Sequence, residues 1–129
     1  MRLLLDTQLL MWTVMESGRV NATTRAILED GGNEVLFSAA SLWEIALKAS
    51  LNRADFPFDP GEVLTSALGI GFVELPVVAG VAIHVAKLPL YHLDPFDRLL
   101  IAQAMYEPVR FYTADAMLAQ YSELVTLIR

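Results

Sequence analysis

The sequence predicts an α/β fold: a parallel sheet of four to five short strands with helices on both faces, a three-layer α/β/α sandwich. Three observations predict it. Short apolar runs alternate with stretches of helical period along the chain, as parallel strands joined by crossover helices require. Runs such as Arg2-Leu3-Leu4-Leu5 and Glu34-Val35-Leu36-Phe37 are apolar at successive rather than alternate positions, so both faces of each strand need cover. A length of 129 residues, with 55% hydrophobic and 19% charged content, fits one core and a single domain over residues 1–129. No repeat, low-complexity tract or linker-like shift in composition divides it.

In order, Arg2–Leu5 reads as a buried central strand that ends at Asp6-Thr7. Leu9, Leu10, Trp12, Thr13, Met15 and Glu16 follow at helical spacing, and Ser17-Gly18 closes that helix. Asn21 caps a second helix from Ala22 to Asp30, ended by Gly31-Gly32. Glu34–Phe37 is the second strand. Ser38 or Ser41 opens a third helix through Leu42, Trp43, Ile45, Ala46, Leu47 and Leu51. Asn52 to Pro60 is a loop broken by Pro57, Asp59 and Pro60. A fourth helix from Gly61 to Leu68 stops at Gly69-Ile70-Gly71, and Phe72–Leu75 is the third strand. Pro76 to Lys87 is helical, with Val77, Val81, His84 and Val85 suitably spaced, and Pro89 ends it. Asp94 caps a helix with Pro95 at its first position, where a missing N–H costs nothing. Val109–Thr113 is the fourth strand, Ala116 to Tyr121 a short helix, and Leu124–Leu127 a last short strand.

Composition excludes several classes. There is no cysteine, hence no disulfide framework and no thiol chemistry, as suits a reducing cytoplasm. No apolar run is long enough to span a bilayer, so no membrane partner is expected. Met1–Leu5 begins like a signal peptide, but Asp6 interrupts it and no small-residue cleavage site follows. The formal net charge of −6 argues against simple binding to a phosphate backbone. It still allows nucleic-acid chemistry where divalent cations neutralise a carboxylate cluster, and it suits a basic protein partner.

The acids that matter are placed by the topology. Asp97 stands at the third position of its helix, and steps of three, four and seven residues reach Leu100, Ile101 and Ala104. A carboxylate heading an apolar face either complements the helix dipole or binds a cation. Asp6 follows the first strand, Asp115 follows the fourth, and Glu44 lies within two turns of the start of the third helix. Each has a local reading: Asp6, Asp94 and Asp115 as helix caps, Glu44 in a capping box with Ser41 or paired with Lys48. In an open parallel sheet, ligands bind beyond the carboxyl ends of the strands. If the first and fourth strands are neighbours, all four acids converge there. Crowded carboxylates repel one another unless a cation lies among them. Oxygen ligands without cysteine or a histidine pair favour Mg²⁺ or Mn²⁺ over zinc. His84 reads as a packed core histidine and His92 as a loop residue near the cleft.

Four stretches resemble the PIN-domain family, in particular the ribonuclease toxins of VapC-type toxin–antitoxin pairs: Leu3 to Trp12, Ser38 to Lys48, His92 to Ala104, and Thr113-Ala114-Asp115. The resemblance implies a metal-dependent endoribonuclease, an RNA substrate, a small cognate antitoxin and a homodimer. It maps the family's acidic cluster onto Asp6, Glu44, Asp97 and Asp115, with Asp6, Asp97 and Asp115 as metal ligands. Thr113 matches a small hydroxyl residue that supports the site. Asp94 belongs to the motif His-x-Asp-Pro-Phe-Asp-Arg, as a cap or a water-mediated ligand, and Arg98 as a phosphate contact or a structural ion pair. Leu93 departs from the pattern, being often basic in similar sequences. Met11, Trp12 and Trp43 are candidates for a partner surface or for the core. The alternatives are a non-catalytic PIN-like module binding protein or RNA, a nuclease acting on DNA or flaps, and a receiver domain. The last normally needs a late lysine, and the lysines here are Lys48 and Lys87.

Overall fold

The computed structural model describes residues 1–51 and 55–128. Its elements, in chain order, begin with β1 (Arg2–Leu5), α1 (Thr7–Met15), α2 (Ala22–Glu29), β2 (Glu34–Ser38), α3 (Ala39–Ser50) and α4 (Pro60–Gly69). They continue with β3 (Val73–Leu75), α5 (Ala79–His84), α6 (Pro95–Tyr106), β4 (Arg110–Thr113) and β5 (Val125–Leu127). Short 3₁₀ turns lie at Ser17–Arg19, Val85–Lys87 and Ala116–Gln120. The five strands form one sheet in the order β3-β2-β1-β4-β5, and every pairing is parallel.

Side chains along a strand alternate between faces, and the core divides accordingly. Leu3, Leu5, Val35, Phe37 and Tyr112 pack on one face with Leu9, Leu10 and Met11 of α1, Ile45 of α3, and Val63 and Ala67 of α4. Leu4, Leu36 and Phe111 pack on the other with Val81 of α5, Leu100, Ile101 and Ala104 of α6, and Leu118. Leu3, Leu4 and Leu5 are fully buried, so the continuous apolar run at the start of the chain is the middle of the sandwich. Each such leucine contributes roughly 1.5–3 kcal/mol through burial. At one edge, β3 exposes Val73 and Glu74 and is only three residues long; a short, charged edge resists pairing with another sheet.

Boundaries differ from expectation where local chemistry decides. The cap of α3 is Ser38, whose hydroxyl accepts from the Ala40 N–H at 2.9 Å, while Ser41 is buried and accepts a bond from Thr7 Oγ1. A capping box between Ser41 and Glu44 is therefore absent. The helix expected from Pro76 forms only at Ala79: Val78 is extended and offers no side-chain cap, as β-branched residues prefer. The 3₁₀ turn at Val85–Lys87 replaces its final turn, and the short helix after Asp115 is also a 3₁₀ turn. Of the expected loop Asn52 to Pro60, residues 52–54 lie outside the described residues. Among the described residues, no helix is long and apolar enough to cross a membrane.

Candidate metal centre

β1 pairs with β4, so the residues just past their carboxyl ends are neighbours. The Asp6 N–H extends the ladder to the Tyr112 carbonyl at 3.0 Å. The Asp6 side chain caps α1, its Oδ1 accepting from the Leu9 N–H at 2.7 Å, and its Oδ2 accepts from the Thr113 hydroxyl. Thr113 Oγ1 in turn accepts from the Asp115 N–H at 3.0 Å, so this one buried hydroxyl ties both aspartates to the end of β4. Asp115 caps the following turn through its Oδ1, which accepts from the Met117 N–H.

α6 supplies the next pair. Asp94 Oδ1 accepts from the Phe96 and Asp97 N–H groups at 2.8 and 3.1 Å, with Pro95 at the first helical turn. That cap places Asp97 against the sheet end. Glu44, buried in α3, pairs its Oε2 with Lys48 Nζ at 3.0 Å. Its Oε1 is buried without a hydrogen-bond partner among the described residues. Asp6, Glu44, Asp94, Asp97 and Asp115 all line one cleft of about 660 Å³, together with Trp12, Arg19 and Lys48.

The electrostatics follow from crowding. Burial pushes the Asp6 carboxyl up to about 6; hydrogen bonds from Thr113 and from the Leu9 and Ala114 N–H groups oppose this, and the Glu44 charge adds to it. Asp97 is pushed up to about 7, first by burial, then by the charges of Asp94, Glu44 and Asp6, with His92 acting the other way. Two carboxyls held this high, beside a buried carboxylate oxygen left unbonded among the described residues, show that Lys48 and Arg19 do not offset the negative charge of the site. The donor set is hard oxygen, which fits Mg²⁺ or Mn²⁺.

The remaining candidates separate cleanly. Thr113 and Asp94 sit at the site. Arg98 does not line the cleft: its guanidinium donates to the carbonyls of Val85, Leu88, Pro89 and His92 and to Tyr121 Oη. Its planar fork of donors is taken up by these carbonyls and the tyrosine oxygen, so it acts as a clamp on the loop between Val85 and His92. Met11 is buried, Trp12 is half-buried along the cleft, and Trp43 is 61% exposed. Leu93 is exposed, and His84 is half-buried outside the cleft. Sequence reasoning undervalued His92, whose Nε2 lies 2.9 Å from Asp115 Oδ2 and 3.5 Å from Asp97 Oδ2. Its position two residues before a helix cap was the available signal. The expected pairing of Lys48 with Glu44 is present, whereas the cleft cation Arg19 carried no signal beyond its charge.

Comparison with known proteins agrees with this fold. The PIN domain family matches the chain over residues 3–124. VapBC2 from Rickettsia felis, solved bound to a DNA fragment from their promoter, is similar in structure at 13% identity and a TM-score of 0.71, covering 99% of this chain and 98% of that one. FitAB bound to an IR36 DNA fragment is similar at 21% identity and a TM-score of 0.65, covering 97% and 94%. No curated protein matches the sequence.

Proposed function

Because the chain belongs to the PIN domain family, we propose that it is a metal-dependent endoribonuclease toxin of the VapC type, cleaving RNA and restrained by a small cognate antitoxin. One observation carries the reading: Asp6, Glu44, Asp94, Asp97 and Asp115 line a single cleft, where Glu44 Oε1 is buried and, among the described residues, unbonded, and Asp6 and Asp97 are pushed up to about 6 and 7. Such a cluster is stable in its ionised form only around a cation.

In this mechanism Asp6, Asp97 and Asp115 would hold Mg²⁺ or Mn²⁺. When bound, the cation supplies a lowered pKa for a coordinated water and stabilises charge on the phosphate undergoing displacement. The protein does the rest. Thr113 fixes Asp6, and the caps at Asp6, Asp94 and Asp115 fix the backbone that carries the ligands. Lys48 holds Glu44 Oε2, which leaves Oε1 to take the proton of the attacking water as general base. Lys48 and Arg19 add positive charge on the cleft wall for the RNA phosphates.

The likeness in fold to VapBC2 and FitAB supports the antitoxin partner. So does an exposed apolar stripe at four-residue spacing along α3 and its C-cap, Trp43, Leu47 and Leu51, which suits the antitoxin or a second copy of the chain in a homodimer. Incubating the purified chain with a pool of cellular RNA, with Mg²⁺ and with chelator, tests the activity. Cleavage is expected only with the ion, and Asp6→Asn and Asp97→Asn are expected to reduce it to background with an unchanged circular dichroism spectrum. Cleavage by either variant at the parent rate overturns the assignment.

A further inference from the structure

His92 stands between two of the proposed ligands, and its own loop determines what it can do there. One carboxylate oxygen each from Asp97 and Asp115 and a His92 ring nitrogen lie within 4.8 Å of one another, a spacing that also suits a mixed nitrogen and oxygen ligand set. The backbone argues against such a set. The Asp94 N–H donates to His92 Nδ1 at 3.0 Å. A backbone N–H is always a donor, so Nδ1 must present its lone pair. A neutral imidazole has one N–H, and it therefore lies on Nε2. Nε2–H then donates to Asp115 Oδ2 at 2.9 Å, and Asp97 Oδ2 lies 3.5 Å from the same nitrogen without a hydrogen bond. To ligate a cation through Nε2, the ring would have to move its proton to Nδ1, against the Asp94 N–H.

The loop that carries His92 is itself held. The His92 N–H donates to Tyr121 Oη at 2.9 Å, and Tyr121 Oη–H donates to the His92 carbonyl. Arg98 Nη1 donates to Tyr121 Oη and to the carbonyls of Pro89 and His92, while Nη2 reaches the carbonyls of Val85 and Leu88. The last residue of the stretch from His92 to Arg98 thus secures the first.

We propose that His92 is a positioning residue whose Nε2–H, donated to Asp115 and facing Asp97, holds the two carboxylates at the spacing a hard divalent ion needs, without ligating the ion. This rests on the nuclease reading for the identity of the site and adds the role of a residue outside the acidic cluster. Partners of ligating carboxylates typically affect metal affinity by about 10–100-fold when removed.

Two measurements test it. With two histidines in the chain, ¹⁵N-histidine two-bond correlation spectra of the ion-free protein, with His92 assigned by His92→Gln, should show Nε2 protonated and Nδ1 bare, and should keep that pattern at saturating Mg²⁺. A proton on Nδ1 in either state overturns the proposal. By calorimetry, His92→Leu should weaken Mn²⁺ and Co²⁺ by a common factor of about tenfold, and His92→Gln, which keeps a donor N–H, should recover most of it. A loss confined to Co²⁺, the ion that prefers nitrogen, or a glutamine variant no better than leucine, overturns it. A wild-type chain that binds neither ion removes the nuclease reading, and the ion-free spectrum then still decides the tautomer.

Discussion

Asp97 is the residue on which the site turns, and its environment makes opposite demands with and without an ion. Its folded value of about 7 lies above the ordinary 3.8, so the native state binds the proton more tightly than the unfolded chain does. For an acid raised in this way, the stabilisation is complete below about pH 3.8 and is lost as pH rises through 7. Asp6, raised to about 6, adds to the same trend over a lower window. In chelator, the melting temperature of the wild type should therefore fall between pH 4 and 7 relative to Asp97→Asn, which has no proton to lose. If the proposed site holds the ion, adding Mn²⁺ should reverse the difference above pH 7, because a cation would stabilise the ionised carboxylates of the wild type. Parallel curves for the two proteins would show that Asp97 is not strained by its neighbours.

At the scale of the element, α6 shows how one cap serves two purposes. Asp94 satisfies the Phe96 and Asp97 N–H groups and also places a negative charge beside the Asp97 carboxyl. The two effects separate by substitution. Asn caps a helix about as well as Asp, whereas Ala in place of either costs about 1 kcal/mol. Asp94→Asn should keep the urea midpoint of the wild type, ease the upward push on Asp97 and extend Mn²⁺ binding to lower pH. Asp94→Ala should ease the same push while losing the cap, so its midpoint should drop. Calorimetry at pH 5.5 and 7.5 with urea titration checks both. A stability loss equal in the two variants would mean that charge, not the capping oxygen, holds the helix start.

Across the whole molecule, the sheet order β3-β2-β1-β4-β5 accounts for the cleft. The chain runs outward from β1 through β2 to β3, then returns to β4 on the other side of β1. α1 packs into one face of the sheet and α6 into the other. Between β1 and β4 the connections diverge, leaving a crevice at the carboxyl ends of those strands. Asp6 and Asp115 flank it. Phe111 is fully buried in β4, which pairs with both β1 and β5. Phe111→Ala should cost about 3–5 kcal/mol in urea unfolding and, because β4 leads to Thr113 and Asp115, should weaken Mn²⁺ binding too. Trp43→Ala, at an exposed position touching the edge of Phe96, should stay within about 1 kcal/mol of the wild type. A comparable loss at both sites would contradict the layered core.

Much of this was legible in the residues alone. Periodicity set the alternation of strands and helices, because burial on one face or two leaves a repeat in the polymer. Asp94-Pro95 marked the start of α6, because capping is local chemistry. The acids Asp6, Glu44, Asp97 and Asp115 were picked out by their places at element ends and by resemblance. Whether they meet depended on β1 lying beside β4, a pairing that leaves no trace in either strand's own sequence. The same is true of Arg98, whose partners are backbone carbonyls that any residue presents, and of His92, whose N–H is assigned by a turn two residues long. Local propensity and pattern determined the elements; tertiary structure decided the partners, because hydrogen bonds between distant residues depend on distance in space and not along the chain.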